Sequence, residues 1–124
     1  MKRLRAQVTA EVDAAPEGEG FRLIVQSYPK GCVRREGVPE KGAKPLASTQ
    51  RAVTPEELRA GVSVNMLQLG APPRGGEPVV VAWVEHGAPN LQYDARRARP
   101  TVANLRGIAR GGRSDTQVVL RRAA

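Results

Sequence analysis

Leu4-Arg5-Ala6-Gln7-Val8-Thr9-Ala10-Glu11-Val12 alternates apolar and polar side chains without a break. Successive side chains on an extended strand point to opposite faces. This order therefore lines one face with Leu4, Ala6, Val8, Ala10 and Val12, and gives Arg5, Gln7, Thr9 and Glu11 the other. A helix needs apolar residues three as well as four apart, and no two apolar residues of this stretch lie three apart. The alternation predicts a half-buried strand and, with it, a β-rich fold.

The neighbouring segments extend the pattern. Asp13 to Gly20 is rich in Ala, Pro, Glu and Gly and reads as a loop. Phe21 to Tyr28 follows as a second strand, with Phe21, Leu23 and Val25 on one face. The two strands are expected to pair as an antiparallel hairpin with a long tip. Pro29 to Gln50 holds Pro29, Gly31, Gly37, Pro39, Gly42 and Pro45, and no apolar period runs through it. It is too long for an ordinary connection. An ordered binding loop, a short edge ribbon around Cys32 and Val33, or an arm that orders on a partner all fit it.

Thr54-Pro55-Glu56-Glu57-Leu58 is a helix start. Thr54 suits the cap, Pro55 the first helical position, and Glu57 completes a capping box. Gly61 stops the helix after about two turns at 3.6 residues each. Val62 to Leu69 reads as a strand, Ala71 to Pro78 as a Pro/Gly turn, and Val79 to Val84 as a central strand apolar on both faces. Trp83 is the expected core anchor, as the largest apolar side chain there. Leu91 to Tyr93 suits a short strand, and Leu105–Ala109 with Thr116–Leu120 a closing hairpin around Gly111-Gly112. The sum is an all-β class, mainly β with one short helix: a small sandwich or barrel with long Pro/Gly loops. The 124 residues make one domain spanning 1–124, with 29–50 as a long loop or partner-binding arm.

Charge points to a partner. Lys and Arg outnumber Asp and Glu 20 to 12, for a net +8, and Arg supplies 16 of the cations. Between Asp94 and Arg122 lie eight Arg and two Asp, a local +6. Such a surface attracts phosphate, anionic lipid or an acidic protein face, and Arg forms bidentate pairs across interfaces more readily than Lys. The same usage is what a GC-rich genome produces. The candidate partner-binding residues are Arg34, Arg35, Arg96, Arg97, Arg99, Arg110 and Arg113.

Catalytic and cofactor patterns are sparse. His86 is the single histidine and Cys32 the single cysteine, too few for an intrachain structural zinc site. Glu85, His86 and Asp94 are the nearest approach to a catalytic metal set, and a histidine before Gly87 reads more simply as a turn residue. Cys32, flanked by Lys30, Arg34 and Arg35, is read as a small residue in a basic turn rather than a nucleophile. No nucleophile elbow, paired-carboxylate site or phosphate loop is present. The expectation is no enzyme, no cofactor and no metal.

Nucleic acid is the competing partner. Arg96, Arg97, Arg99, Arg106, Arg110, Arg113, Arg121 and Arg122 suit a phosphate-tracking groove, but four aromatics give few stacking platforms. No apolar run reaches the ~20 residues of a membrane span, and the alternating N-terminus is unlike a signal peptide. Synthesis and residence in the cytosol, or export by assembly and lysis, are expected, with no membrane partner.

The stretches Tyr28-Pro-Lys-Gly-Cys-Val-Arg-Arg-Glu-Gly-Val-Pro-Glu40 and Leu91-Gln-Tyr-Asp-Ala-Arg-Arg-Ala-Arg-Pro100 resemble passages in small virion and assembly proteins of tailed, including Mu-like, bacteriophages or prophages. The resemblance covers about a fifth of the chain and carries no functional residues. It implies a class: a capsid-decorating, head-stabilising or head–tail joining protein that is β-rich and binds copies of itself or a capsid or tail protein.

Overall fold

The alternation does build a sheet. The computed structural model describes residues 2–11, 20–34, 37–68, 78–86, 101–110 and 115–122. Among them run, in chain order, β1 (Lys2–Ala10), β2 (Phe21–Tyr28), β3 (Ala47–Val53), α1 (Pro55–Ala60), β4 (Val62–Gln68), β5 (Val79–His86), β6 (Thr101–Arg110) and β7 (Asp115–Arg122). The strands form one sheet in the order β3-β2-β5-β6-β7-β1-β4. Its two ends, β3 and β4, curl toward each other, so the sheet is a nearly closed barrel.

The inward residues make the core. Leu4 lies opposite Met66, Ala6 opposite Val64 and Val8 opposite Val62 on β4. On its other side β1 runs parallel to β7, with Val8 against Val118 and Ala10 against Leu120. Leu23, Val25, Val80, Ala82, Val84 and Leu105 complete the interior, all essentially buried. Small Ala and Val alternate with Leu across the barrel, which fills a narrow interior without large aromatics.

The strand pairing overturns two expectations. β1 and β2 do not form a hairpin: β2 pairs with β3 and β5, while β1 pairs with β4 and β7. Period two fixes which face of a strand is apolar but not which strand lies beside it, and a longer connection adds little closure entropy. β1 is therefore an interior strand, and β3 and β4 are the edges. The expected irregular segment is also shorter, because residues 47–50 belong to β3. β3 buries only Ala47 and Val53, so its sequence carries no apolar period, and its pairing with β2 makes it a strand.

The helix forms as its start motif predicts. The Glu57 amide donates to Thr54 Oγ1 at 3.1 Å, and the Thr54 amide donates to Glu57 Oε1 at 3.1 Å. Gly61 closes it with φ +102°, a conformation that an L side chain resists, and its amide donates to the Glu57 carbonyl at 2.9 Å. Six residues would not hold a helix in water. Leu58, fully buried, ties this one to the barrel core.

α1 links the two sheet edges, and Arg51 fastens them. By alternation from Val53, Arg51 takes an inward position on β3 and reaches across the gap. Its Nη1 donates to the Ser63 carbonyl of β4 at 3.4 Å, and its Nη2 to Glu57 Oε2 at 3.1 Å. A guanidinium thus stands where a backbone ladder would otherwise close the barrel.

A second, outer layer explains the long segment after β2. Tyr28, Ile24 and Val81 are buried yet lie outside the core cluster. Residues 29–34 and 37–46 form a small ribbon at this side. The Arg34 amide donates to the Val38 carbonyl at 2.8 Å, the Glu40 amide to the Cys32 carbonyl at 2.8 Å, and Val33 bridges Pro39. Gly37, at φ +80°, turns the ribbon against β6: a Cβ there would lie 3.6 Å from Ile108 Cβ.

Candidate interaction surface

The sheet register sets out a cross-strand row on the outer face. Ile24 of β2 lies opposite Trp83 of β5, Trp83 opposite Arg106 of β6, and Arg106 opposite Arg121 of β7. Directly opposed residues share a face, with Cβ atoms about 4.5–5.5 Å apart. Exposure grows along the row: Ile24 is buried, Trp83 and Arg106 are half-buried, and Arg121 is exposed. Two residues along from the arginines, on the same face, Ile108 is 43% and Val119 40% exposed.

Trp83 is thus not the core anchor that its size suggested. Val80, Ala82 and Val84 take the inward positions of β5, so Trp83 must point out. Its Nε1 donates to Glu85 Oε1 at 3.1 Å on the same face. Both inner and outer faces of β5 are largely covered, which hid the phase in an unbroken apolar run.

The electrostatics of the row are unbalanced. Like charges directly opposite each other on a sheet destabilise it, by about 0.2–1 kcal/mol. Arg121 Nε donates to Glu11 Oε1 at 2.8 Å. Arg106 has no carboxylate partner among the described residues.

β6 is shaped to present this face. Its register against β5 shifts between Trp83 and Val84, where β6 carries two extra residues, Asn104 and Leu105. Gly107 sits so close to β7 that a Cβ would lie 2.6 Å from the Val119 carbonyl oxygen and 2.7 Å from Val118 Cγ1. A glycine within a strand permits the tight approach of neighbouring backbones at a barrel corner.

Two of the sequence-predicted residues fall near this region. Arg34 is exposed on the ribbon turn, with Nε 3.6 Å from Glu40 Oε2. Arg110 ends β6 opposite Val79. The Gly37 amide donates to the Arg34 carbonyl at 3.0 Å, and Gly37 rests against Gly107 and Ile108 on that same strand. Arg35, Arg96, Arg97, Arg99 and Arg113 lie outside the described residues, as do Leu91–Tyr93 and Asp94. Arg106 and Arg121 were legible as cations; Trp83, Ile108 and Val119 were not legible as surface. The signal that marks them is parity: each lies one residue off the buried set of its own strand.

A pocket of about 380 Å³ opens at the other end of β2, lined by Phe21, Arg22, Gln50, Arg51, Thr54 and Glu57 among others. Its polar groups are mutually engaged: Arg22 Nη1 donates to Gln50 Oε1 at 3.1 Å, and Arg51 pairs with Glu57. Among the described residues no three of His, Cys, Asp and Glu converge as a metal site, and no helix is long and apolar enough to cross a membrane. No family model, curated protein or solved structure matches the chain.

Proposed function

We propose that this chain is a non-enzymatic structural protein that associates with other protein chains, as a capsid-decorating, head-stabilising or head–tail joining component of a tailed phage or prophage. It works in the virion or the host cytoplasm, and its partners are copies of itself or a capsid or tail protein. The single observation that carries the binding role is the outward row Trp83–Arg106–Arg121 beside exposed Ile108 and Val119. Trp and Arg dominate the energetic centres of protein interfaces, and a sheet face presents them rigidly. The phage assignment draws on the resemblance of the stretches at 28–40 and 91–100.

The test is the native mass of the purified protein, alone and with phage heads or tails. Oligomers or particle-bound chain are expected. A strict monomer that binds no particle overturns the proposal.

A second reading, a basic nucleic-acid-binding module using the arginines of the last third, is favoured by one observation: half-exposed Trp83 sits in a row with two arginines, a stacking group beside cations. It predicts retardation of DNA or RNA whose affinity falls by decades with salt if about six to ten phosphates are contacted. Absence of retardation at low salt removes it.

A further inference from the structure

We infer that the outer face of β5–β6–β7, built from Trp83, Arg106, Ile108, Val119 and Arg121, docks an acidic protein segment with an apolar centre. This deepens the structural reading above, on which it rests for the existence of a protein partner, by naming the surface and the chemistry that fits it.

Charge selects the occupant. Arg106 and Arg121 face each other across β6 and β7, and the described residues provide one carboxylate, Glu11, for the pair. A partner carboxylate placed between the two guanidiniums relieves their repulsion and accepts bidentate bonds from both. A second copy presenting this same face in a two-fold contact would bring arginine against arginine, and its own net charge of +8 opposes approach.

The aliphatic residues separate a protein from a nucleic acid. Ile108 and Val119 are large apolar side chains exposed beside the arginines. Branched aliphatic chains offer no stacking face to a base, whereas they match a leucine or valine of a peptide. Glu85, bonded to Trp83, and Glu11, bonded to Arg121, border the row at both ends. Carboxylates there repel any anion, and they oppose a phosphate backbone charged at every residue more than a peptide whose carboxylates are spaced by apolar residues. The sheet is rigid, so little ordering cost falls on this side of the contact.

Trp83 is the single tryptophan of the chain and therefore reports on the face directly. Its emission is followed while the full chain is titrated with three probes, with calorimetry in parallel. The probes are a short peptide alternating Glu with Leu and Val, a peptide of equal charge alternating Glu with Ser, and a short single-stranded oligothymidine. Saturable binding of the Glu/Leu/Val peptide is expected, at least about tenfold tighter than that of the Glu/Ser peptide. Arg106→Glu and Ile108→Ser should each weaken it about tenfold or more with unchanged circular dichroism, while Arg59→Glu on exposed α1 changes it less than about twofold. Equal binding of both peptides, or indifference to Ile108→Ser, overturns the inference in favour of charge alone. Tighter binding of the oligothymidine overturns it in favour of nucleic acid. No signal by either method at about millimolar peptide also overturns it. The native mass is a separate measurement: an oligomer that ignores the peptide leaves the structural role standing and removes this face as its site.

Discussion

Gly107 is the residue on which the shape of the outer face turns. A methyl group there would meet the Val119 carbonyl oxygen at 2.6 Å, and a backbone atom cannot rotate away as a side-chain tip can. Gly107→Ala is expected to destabilise the fold by about 1–3 kcal/mol, the cost of overpacking, as a lower urea midpoint. Thr116 presents the opposite case. Its hydroxyl is buried in the barrel without a hydrogen-bond partner among the described residues. Thr116→Val keeps the shape and removes the uncompensated oxygen, so a gain of about 1 kcal/mol is expected in the same measurement. Tyr28 adds a pH dependence. Burial raises its phenol above the ordinary value near 10, and its hydroxyl donates to Gln26 Oε1 at 2.6 Å. The fold favours the protonated form, so this contribution is fully present below about pH 10 and is lost as pH rises through the higher folded value. Tyr28→Phe should flatten the alkaline fall in stability, read as unfolding midpoints across that range.

At the scale of elements, the weakest piece is also the one that spans the gap in the barrel. α1 has six residues, so its own hydrogen bonds cannot sustain it, and Leu58 is its anchor. Leu58→Ala is expected to cost about 2–5 kcal/mol, as for other fully buried leucines. Amide exchange should show where the damage goes: protection falls first in α1 and along β3 and β4, which the helix and Arg51 hold together. A uniform loss over all strands would show instead that the barrel tolerates no open seam. The helix and the strands β1, β2, β4, β5, β6 and β7 were legible in the sequence, since caps and apolar patterning are local signals. β3 was not, because a polar edge strand with two buried residues looks like a loop until a neighbour pairs with it.

For the whole molecule, net charge and exposed apolar surface act in opposite directions. The +8 chain repels its own copies at long range, while Ile108 and Val119 favour contact at short range. Attraction to an acidic partner should therefore weaken as salt rises from about 0.01 to 0.15 M, where screening shortens from roughly 30 to 8 Å. The association rate should carry most of that change, with dissociation nearly constant. Stopped-flow mixing with an acidic capsid or tail protein measures both rates; an association rate indifferent to salt would rule out electrostatic steering.

The sequence by itself determined the β class, the helix and its caps, the basic charge and the apolar face of each alternating strand. Those follow from bonds and side-chain directions within a few residues. Only the tertiary structure decided that β1 is interior, that Arg51 fastens the seam, and that Trp83 joins two arginines on the outside. Strand neighbours are chosen by packing between residues far apart in the chain, and a run apolar on both faces, such as Val79–Val84, does not reveal which face meets the core.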